Sequence, residues 1–208
     1  MKKGKFITFE GCEGVGKSTQ LRLLKEYAEN SGIDIVFTRE PGGTPISEQI
    51  RNVILDVNNT AMVAECESLL YAAARAQLIK DVILPALNEG KIVVCDRYID
   101  SSFAYQAYGR NLGFDLVSRF NSFAMSDCMP DVTILLDMRP EDNFRKKKGK
   151  VIDDRMENES LEFHNIVYDG FIAVADKFPE RIIKIKPTGD KIKTHELVIK
   201  ALKDRGIF

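Results

Sequence analysis

Tryptophan is missing from the sequence and histidine nearly so: His164 and His195 have no second histidine or cysteine at metal-ligand spacing. This argues against a metal centre built on those side chains, and both histidines read as helix-surface residues. The four cysteines, Cys12, Cys66, Cys95 and Cys128, form no CxxC pair and are too sparse for a disulfide framework. That usage implies a reducing, cytoplasmic setting, with Cys66 and Cys128 expected as buried helical thiols. Neither sign of charge dominates, since 30 Lys and Arg face 31 Asp and Glu for a formal charge of −1. Nothing global therefore suggests a nucleic-acid or membrane-surface partner, and any anionic substrate must be gripped locally. No apolar run is long enough to span a bilayer. The start, MKKGKFITFEG, is basic and then apolar like a signal peptide, but charge and glycine return at Glu10 and Gly11. Repeats, low-complexity tracts and linkers are also lacking, so the 208 residues are expected to form one domain.

What is present begins directly after the apolar run Phe6 to Phe9. Residues Gly11, Cys12, Glu13, Gly14, Val15, Gly16, Lys17 and Ser18, followed by Thr19, fit the phosphate-loop pattern GxxxxGK[ST]. A loop turning sharply from a strand into a helix aims backbone N–H groups inward, and the helix N-terminus adds positive potential. Glycine admits the backbone dihedrals this turn needs and lets the main chain approach the anion. Lys17 can reach the β and γ phosphates, and the Ser18 hydroxyl suits Mg²⁺. The amphipathic run Leu21, Leu23, Leu24, Tyr27 and Ala28 continues as a helix, so nucleoside triphosphate binding is expected. Cys12, beside a helix N-terminus, is expected to have a lowered thiol pKa and to be open to alkylation.

Further strands are expected at 33–38, 91–95, 132–137 and 181–185, each short and almost wholly apolar. Helices are expected at 47–55, 63–88 with a kink or end at Pro85, 101–108, 114–125, from Glu141 onward, 154–177 and 191–203. On the first of these, Ile46, Ile50, Val53 and Ile54 form an apolar face. Apolar strands alternating with helices predict a three-layer α/β fold, a parallel five-stranded sheet covered on both faces.

Charged and polar residues gather at strand ends: Glu10, Glu13, Arg39, Glu40, Arg51, Arg75, Asp96, Arg97 and Ser102. Arginine forks grip phosphate bidentately, and a strand-end carboxylate can hold Mg²⁺ through water. Together, FEGCEGVGKST, TREPGGTPISEQIR, YAAARAQ and CDRYIDSSFAYQ resemble the thymidylate kinases, bacterial form, over nearly the whole chain. The resemblance implies the P-loop nucleoside monophosphate kinase fold, transfer of the γ-phosphate of ATP to dTMP, Mg²⁺, and a homodimer. Tyr71 then matches the aromatic that stacks on thymine, and Arg75 the arginine that hydrogen-bonds a base carbonyl. Ser102 and Gln106 match residues touching the base. Arg51 and Arg97 match the arginines on the dTMP phosphate, Glu13 the acidic residue near the sugar, and Tyr105 the residue that crowds out a 2′-hydroxyl. Asp96 would join Ser18 at Mg²⁺, and Glu40 resembles an acceptor-site residue.

Gly14 stands where one branch of that family carries a basic residue, so the catalytic charge is expected from a lid at about 143–156. Arg145, Lys148 and Arg155 are its candidates, although lysines at 146–148 replace the arginines common in the family, and lysine lacks the planar fork. A kinase for another nucleotide is the nearest alternative. A GTPase switch is disfavoured because DxxG and NKxD motifs are missing.

Overall fold

The computed structural model describes residues 4–141 and 154–208. Its frame is a five-stranded parallel sheet: β1 (Lys5–Glu10), β2 (Ile35–Arg39), β3 (Ile92–Asp96), β4 (Val132–Leu136) and β5 (Ile182–Ile185), in the order β2-β3-β1-β4-β5. β1 lies at the centre, pairing Phe9 with Asp96 of β3 on one side and with Ile134 of β4 on the other. The carboxyl ends of β1 and β3 thus emerge side by side, where chain order reverses across the sheet and open α/β folds leave a crevice.

The helices are α1 (Lys17–Ser31), α2 (Pro45–Leu55), α3 (Ala64–Leu78), α4 (Leu84–Asn88), α5 (Ile99–Ser102), α6 (Phe114–Phe120), α7 (Ser122–Asp127), α8 (Leu161–Lys177) and α9 (Lys191–Asp204). Their starts follow local chemistry. Thr44 caps α2, its side chain accepting from the Ser47 amide at 3.1 Å, with Pro45 in the first turn, where its missing N–H costs nothing. Asp190 caps α9 in the same way. All the expected strands form, with boundaries shifted by at most a few residues.

The helices depart from expectation in several places. The stretch 63–88 is helical, but the turn Ile79–Ile83 ahead of Pro85 is widened into a π-helix. A second π-helical turn, Phe103–Gly109, continues α5. Asn121 breaks the stretch expected as one helix over 114–125 into α6 and α7. The helix expected from 154 begins only at Leu161, because Ser160 caps it there, accepting from the Phe163 amide at 3.1 Å. Asp154 instead closes a turn by accepting from the Met156 amide at 2.8 Å.

The core fills the space on both sides of the sheet with Ile7, Phe9, Val93, Val94, Ile134 and Leu136 together with helix residues such as Leu24, Leu78, Phe103 and Val167. α8 packs on the Phe103–Gly109 turn, α2 on α3, and α1 on α9. Three readings are corrected here. His164 is buried in the core-facing side of α8 against Phe163, whereas Cys66 is exposed on α3. The apolar face of α2 divides, with Ile54 buried while Ile46 and Val53 are exposed. None of the helices described is long and apolar enough to cross a membrane.

Candidate active site

The loop between β1 and α1 has the geometry its glycines predict. Gly16 adopts φ 99° at the cap of α1. At Gly11 (φ 136°), a Cβ would sit 2.8 Å from the Leu136 carbonyl oxygen. Lys17 lies folded over this loop, its Nζ donating to the carbonyls of Gly11 at 3.1 Å and Cys12 at 3.2 Å. Burial, and after it the charge of Arg97, push the Lys17 ammonium below its usual range. A polyphosphate replacing those carbonyls would restore full charge compensation to a buried cation.

One cleft joins this loop to the ends of β2 and β3. Its walls include Lys17, Ser18, Arg51, Tyr71, Asp96 and Arg97. Glu13, Glu40, Arg75, Ser102, Tyr105 and Gln106 also line it, so the acceptor-side residues expected from sequence converge on one space. Gly14, Val15, Gly16 and Thr19 face a second, separate hollow closed by Met138, Pro187 and the start of α9. The loop therefore borders both cavities.

Arg97 is the hinge of the arrangement. It is a non-glycine residue at φ 66°, a conformation that costs about 1–3 kcal/mol and is kept only where its surroundings enforce it. Its backbone amide donates to Phe9 O at 3.0 Å, and its guanidinium to Gly11 O at 2.9 Å, Ser101 Oγ at 3.1 Å and Tyr105 OH at 3.3 Å. It also forms an ion pair with Glu13. Burial works against the charge of Arg97, but Glu13 foremost, then Tyr105, Glu10 and Asp96, outweigh it and raise its pKa. Beneath it Glu10 is fully buried, accepting from the Tyr98 amide at 2.8 Å and from Ser101 Oγ at 2.6 Å. The strained turn is thus tied to the end of β1.

Arg75 is held from several sides. Glu40 takes its Nη2 at 2.6 Å and its Nε at 2.9 Å, while Nη1 donates to Ser102 Oγ at 3.1 Å and to Asn121 Oδ1. Arg51 donates to Pro41 O at 2.9 Å. Sequence reasoning missed Asn121, although a polar residue in an otherwise amphipathic run was a signal. It also missed Glu67, the partner of Gln106 at 2.9 Å, and the wall residues Asp154 and Met156.

The metal-binding expectation meets a suitable donor set. Asp96 Oδ1 is buried without a hydrogen-bond partner among the described residues, and the exposed Ser18 shares its cleft. No group of three or more His, Cys, Asp or Glu side chains able to hold a metal occurs among the described residues. A carboxylate and a hydroxyl in one cleft are a donor set of the kind that Mg²⁺ takes together with substrate phosphates. Cys12, by contrast, is 2% exposed, and burial foremost pushes its thiol up to about 12, overturning the expected reactive thiolate. Of the lid candidates, Arg145 and Lys148 lie outside the described residues. Arg155 donates to Glu67 at 2.7 Å.

A family model described as thymidylate kinase matches residues 9–198. The chain is 50% identical over 198 residues to the thymidylate kinase of Bacillus velezensis, covering 94% of this chain and 92% of that one. It is 43% identical over 202 residues to that of Caldanaerobacter subterraneus subsp. tengcongensis, covering 97% and 96%. The crystal structure of thymidylate kinase from Ehrlichia chaffeensis superposes with a TM-score of 0.78 at 36% identity, over 97% of this chain and 99% of the other.

Proposed function

The chain belongs to the thymidylate kinase family, and from that premise we propose that its cleft carries the transfer of the γ-phosphate of ATP to dTMP, giving dTDP and ADP for dTTP synthesis. The observation that carries this reading is the position of Arg97. One guanidinium touches the phosphate loop at Gly11 and faces the acceptor cleft beside Tyr105. A monophosphate gripped there lies next to the terminal phosphate of a nucleotide on Lys17.

Transfer is direct and in line, with no covalent enzyme intermediate, because phosphoryl transfer needs positioning and charge stabilisation more than a nucleophile. Arg97 and Arg51 hold the acceptor phosphate. Tyr71 offers its ring to the base, Ser102, Gln106 and Arg75 meet the base edge, and Glu13 and Tyr105 meet the sugar. Glu40 acts through Arg75. Lys17 leaves the loop carbonyls for the β and γ phosphates, drawn by their charge. Ser18 and Asp96 would hold Mg²⁺, which when bound neutralises phosphate charge. The remaining catalytic charge comes from the lid at about 143–156, with Arg145, Lys148 and Arg155 as its candidates, and lid closure excludes water that would hydrolyse ATP.

The protein works in the cytoplasm as a single kinase domain and as a homodimer, without nucleic-acid or membrane partners. The exposed Ile46, Val53, Val63 and Leu69 of the α2–α3 side support pairing with a second copy. A monomeric mass in solution counts against that.

The deciding experiment measures ADP formation from Mg·ATP against dTMP, dUMP, UMP, CMP, AMP and GMP. Strong preference for dTMP is expected. Turnover with a different monophosphate overturns the roles of Tyr71, Arg75 and Tyr105, and no acceptor-dependent turnover overturns the kinase reading itself.

A further inference from the structure

Glu67 lies on α3 one turn ahead of Tyr71 and two ahead of Arg75, so one face of the helix carries all of them. It is 1% exposed, yet it is charged, and it joins separate parts of the chain. Its Oε1 accepts from Gln106 Nε2 at 2.9 Å. Its Oε2 accepts from Arg155 Nη2 at 2.7 Å and from Arg110 Nη2 at 3.0 Å. Burial works against this carboxylate, but the hydrogen bonds and charge of Arg110 lead the groups that outweigh it and lower its pKa.

Arg155 is fixed at more than this point. Its Nε donates to Ile54 O at 2.9 Å and its backbone amide to Leu55 O at 2.9 Å, both at the end of α2. Its neighbours on either side, Asp154 and Met156, line the acceptor cleft together with Leu55 and Gln106. Arg110, the other cation on Glu67, also pairs with Glu159. Withdrawing Arg155 to follow a transferred phosphate would leave a desolvated carboxylate short of one partner and detach this wall from α2 and α3.

We propose that Arg155 is a positioning residue, clamped by Glu67 to hold Asp154 and Met156 as a wall of the acceptor cleft, and is not the cation delivered to the moving phosphate. The assignment rests on the acceptor-site reading above. It makes Glu67 the residue through which Gln106 and Arg155 are set together, so the two sides of the cleft share one anchor. Loss of either Glu67 or Arg155 should therefore loosen acceptor binding more than it slows the chemical step.

The test is steady-state kinetics with Mg·ATP and dTMP, with dTMP binding followed by calorimetry, on Arg155→Met, Glu67→Gln and the double variant. Wild-type turnover of dTMP checks the acceptor reading separately from the clamp, and an unchanged KM for ATP shows that each variant keeps its donor site. Both single variants should raise the KM and Kd for dTMP about tenfold while kcat falls less than about threefold, a loss of binding made before the transition state. The double variant should be no worse than the more severe single one, because the two side chains act as one unit. A kcat loss of about a hundredfold in Arg155→Met at unchanged KM, with Glu67→Gln like wild type, overturns the clamp and makes Arg155 the catalytic cation. Additive effects of the two substitutions, or wild-type kinetics in both, also overturn it. If Glu67→Gln does not fold, Arg155→Lys decides. Lysine cannot reproduce the fork to Glu67 and Ile54, so the clamp predicts a KM as high as in Arg155→Met. A catalytic cation predicts normal KM and partly retained kcat.

Discussion

Glu40 and Arg75 face each other as a bidentate pair shut away from solvent, with Nη2 to Oε2 at 2.6 Å and side-chain exposures of 4% and 1%. The pair links the end of β2 to α3 and fixes a guanidinium that lines the cleft beside the phosphate loop. Removing one partner strands a buried charge, which costs about 3–5 kcal/mol. Glu40→Ala should therefore lower Tm by on the order of 10 °C in a chain of this size. Glu40→Gln, which still accepts from Arg75, should lose less. A thermal melt of Glu40→Ala within about 2 °C of wild type would show that the pair contributes little.

The two sides of transfer should separate in kinetics. Lys17→Ala should lose kcat by about 10²–10³-fold, the usual effect of removing one donor to developing charge. Arg97→Ala should damage dTMP use more than any residual ATP hydrolysis, since its guanidinium faces the acceptor cleft. Equal loss of both activities in Arg97→Ala would count against its acceptor role. Asp96→Asn should raise the Mg²⁺ concentration needed for half-maximal rate.

Thiol labelling should reverse the order that sequence position suggests. Cys66 is exposed, while Cys12, Cys95 and Cys128 are buried, and Cys12 holds its proton to about 12, chiefly because burial penalises the thiolate. Peptide mapping after brief iodoacetamide treatment at pH 8 should find Cys66 modified first, with activity retained. Early modification at Cys12 with loss of nucleotide binding would reverse this.

Helix α8 presses a glycine onto the turn that carries Tyr105 and Gln106. A Cβ at Gly170 would lie 2.9 Å from Tyr108 Cβ and 3.1 Å from both the Cα and the carbonyl oxygen of Ala104. These are backbone and near-backbone atoms that cannot swing aside, so Gly170→Ala should cost about 1–3 kcal/mol. Denaturant unfolding should show a lower midpoint, and the KM for dTMP should rise as the turn shifts. An unchanged midpoint would mean that α8 can retreat freely.

How much of this was legible in the chain depended on the range of the interaction. The strands were read because each is a short apolar run, and α2 because Ile46, Ile50, Val53 and Ile54 recur at helical spacing. The phosphate loop was equally visible, since its chemistry is written in spacing and type, whereas the roles of Arg51, Arg75 and Arg97 came from the resemblance to a family. The widened turns at Ile79–Ile83 and Phe103–Gly109 were not, because a π-helix differs from an α-helix by tertiary fit and carries no residue pattern of its own. Glu67 was missed for a related reason. A charge on a helix usually faces water, and only the folded chain brings Gln106, Arg110 and Arg155 onto it from distant positions. The same logic misplaced His164 and Cys66, whose burial is decided by what packs against α8 and α3.

Glu10 gives the fold a pH dependence of definite sign. It is fully buried under the Arg97 turn, and burial first, then the nearby charge of Asp100, raise its pKa from 4.5 to about 8. Arg97 and the hydrogen bonds from Ser101 and Tyr98 pull the other way but do not prevail. Between those two values the folded chain holds a proton here that the unfolded chain has released. Folding stability from this group is therefore complete below about 4.5 and is lost as pH rises through about 8. Glu10→Gln keeps an acceptor for the Tyr98 amide and has no proton to lose. Urea unfolding at pH 5.5 and pH 8.5 should then show a steeper decline for wild type than for the variant, with the difference moving in favour of Glu10→Gln as pH rises. A decline of equal slope in both proteins would place the titration on another group. Equal slopes are what an already ionised Glu10 would give, because a carboxylate held charged by Arg97 in the folded chain and charged in the unfolded chain contributes no slope over this range.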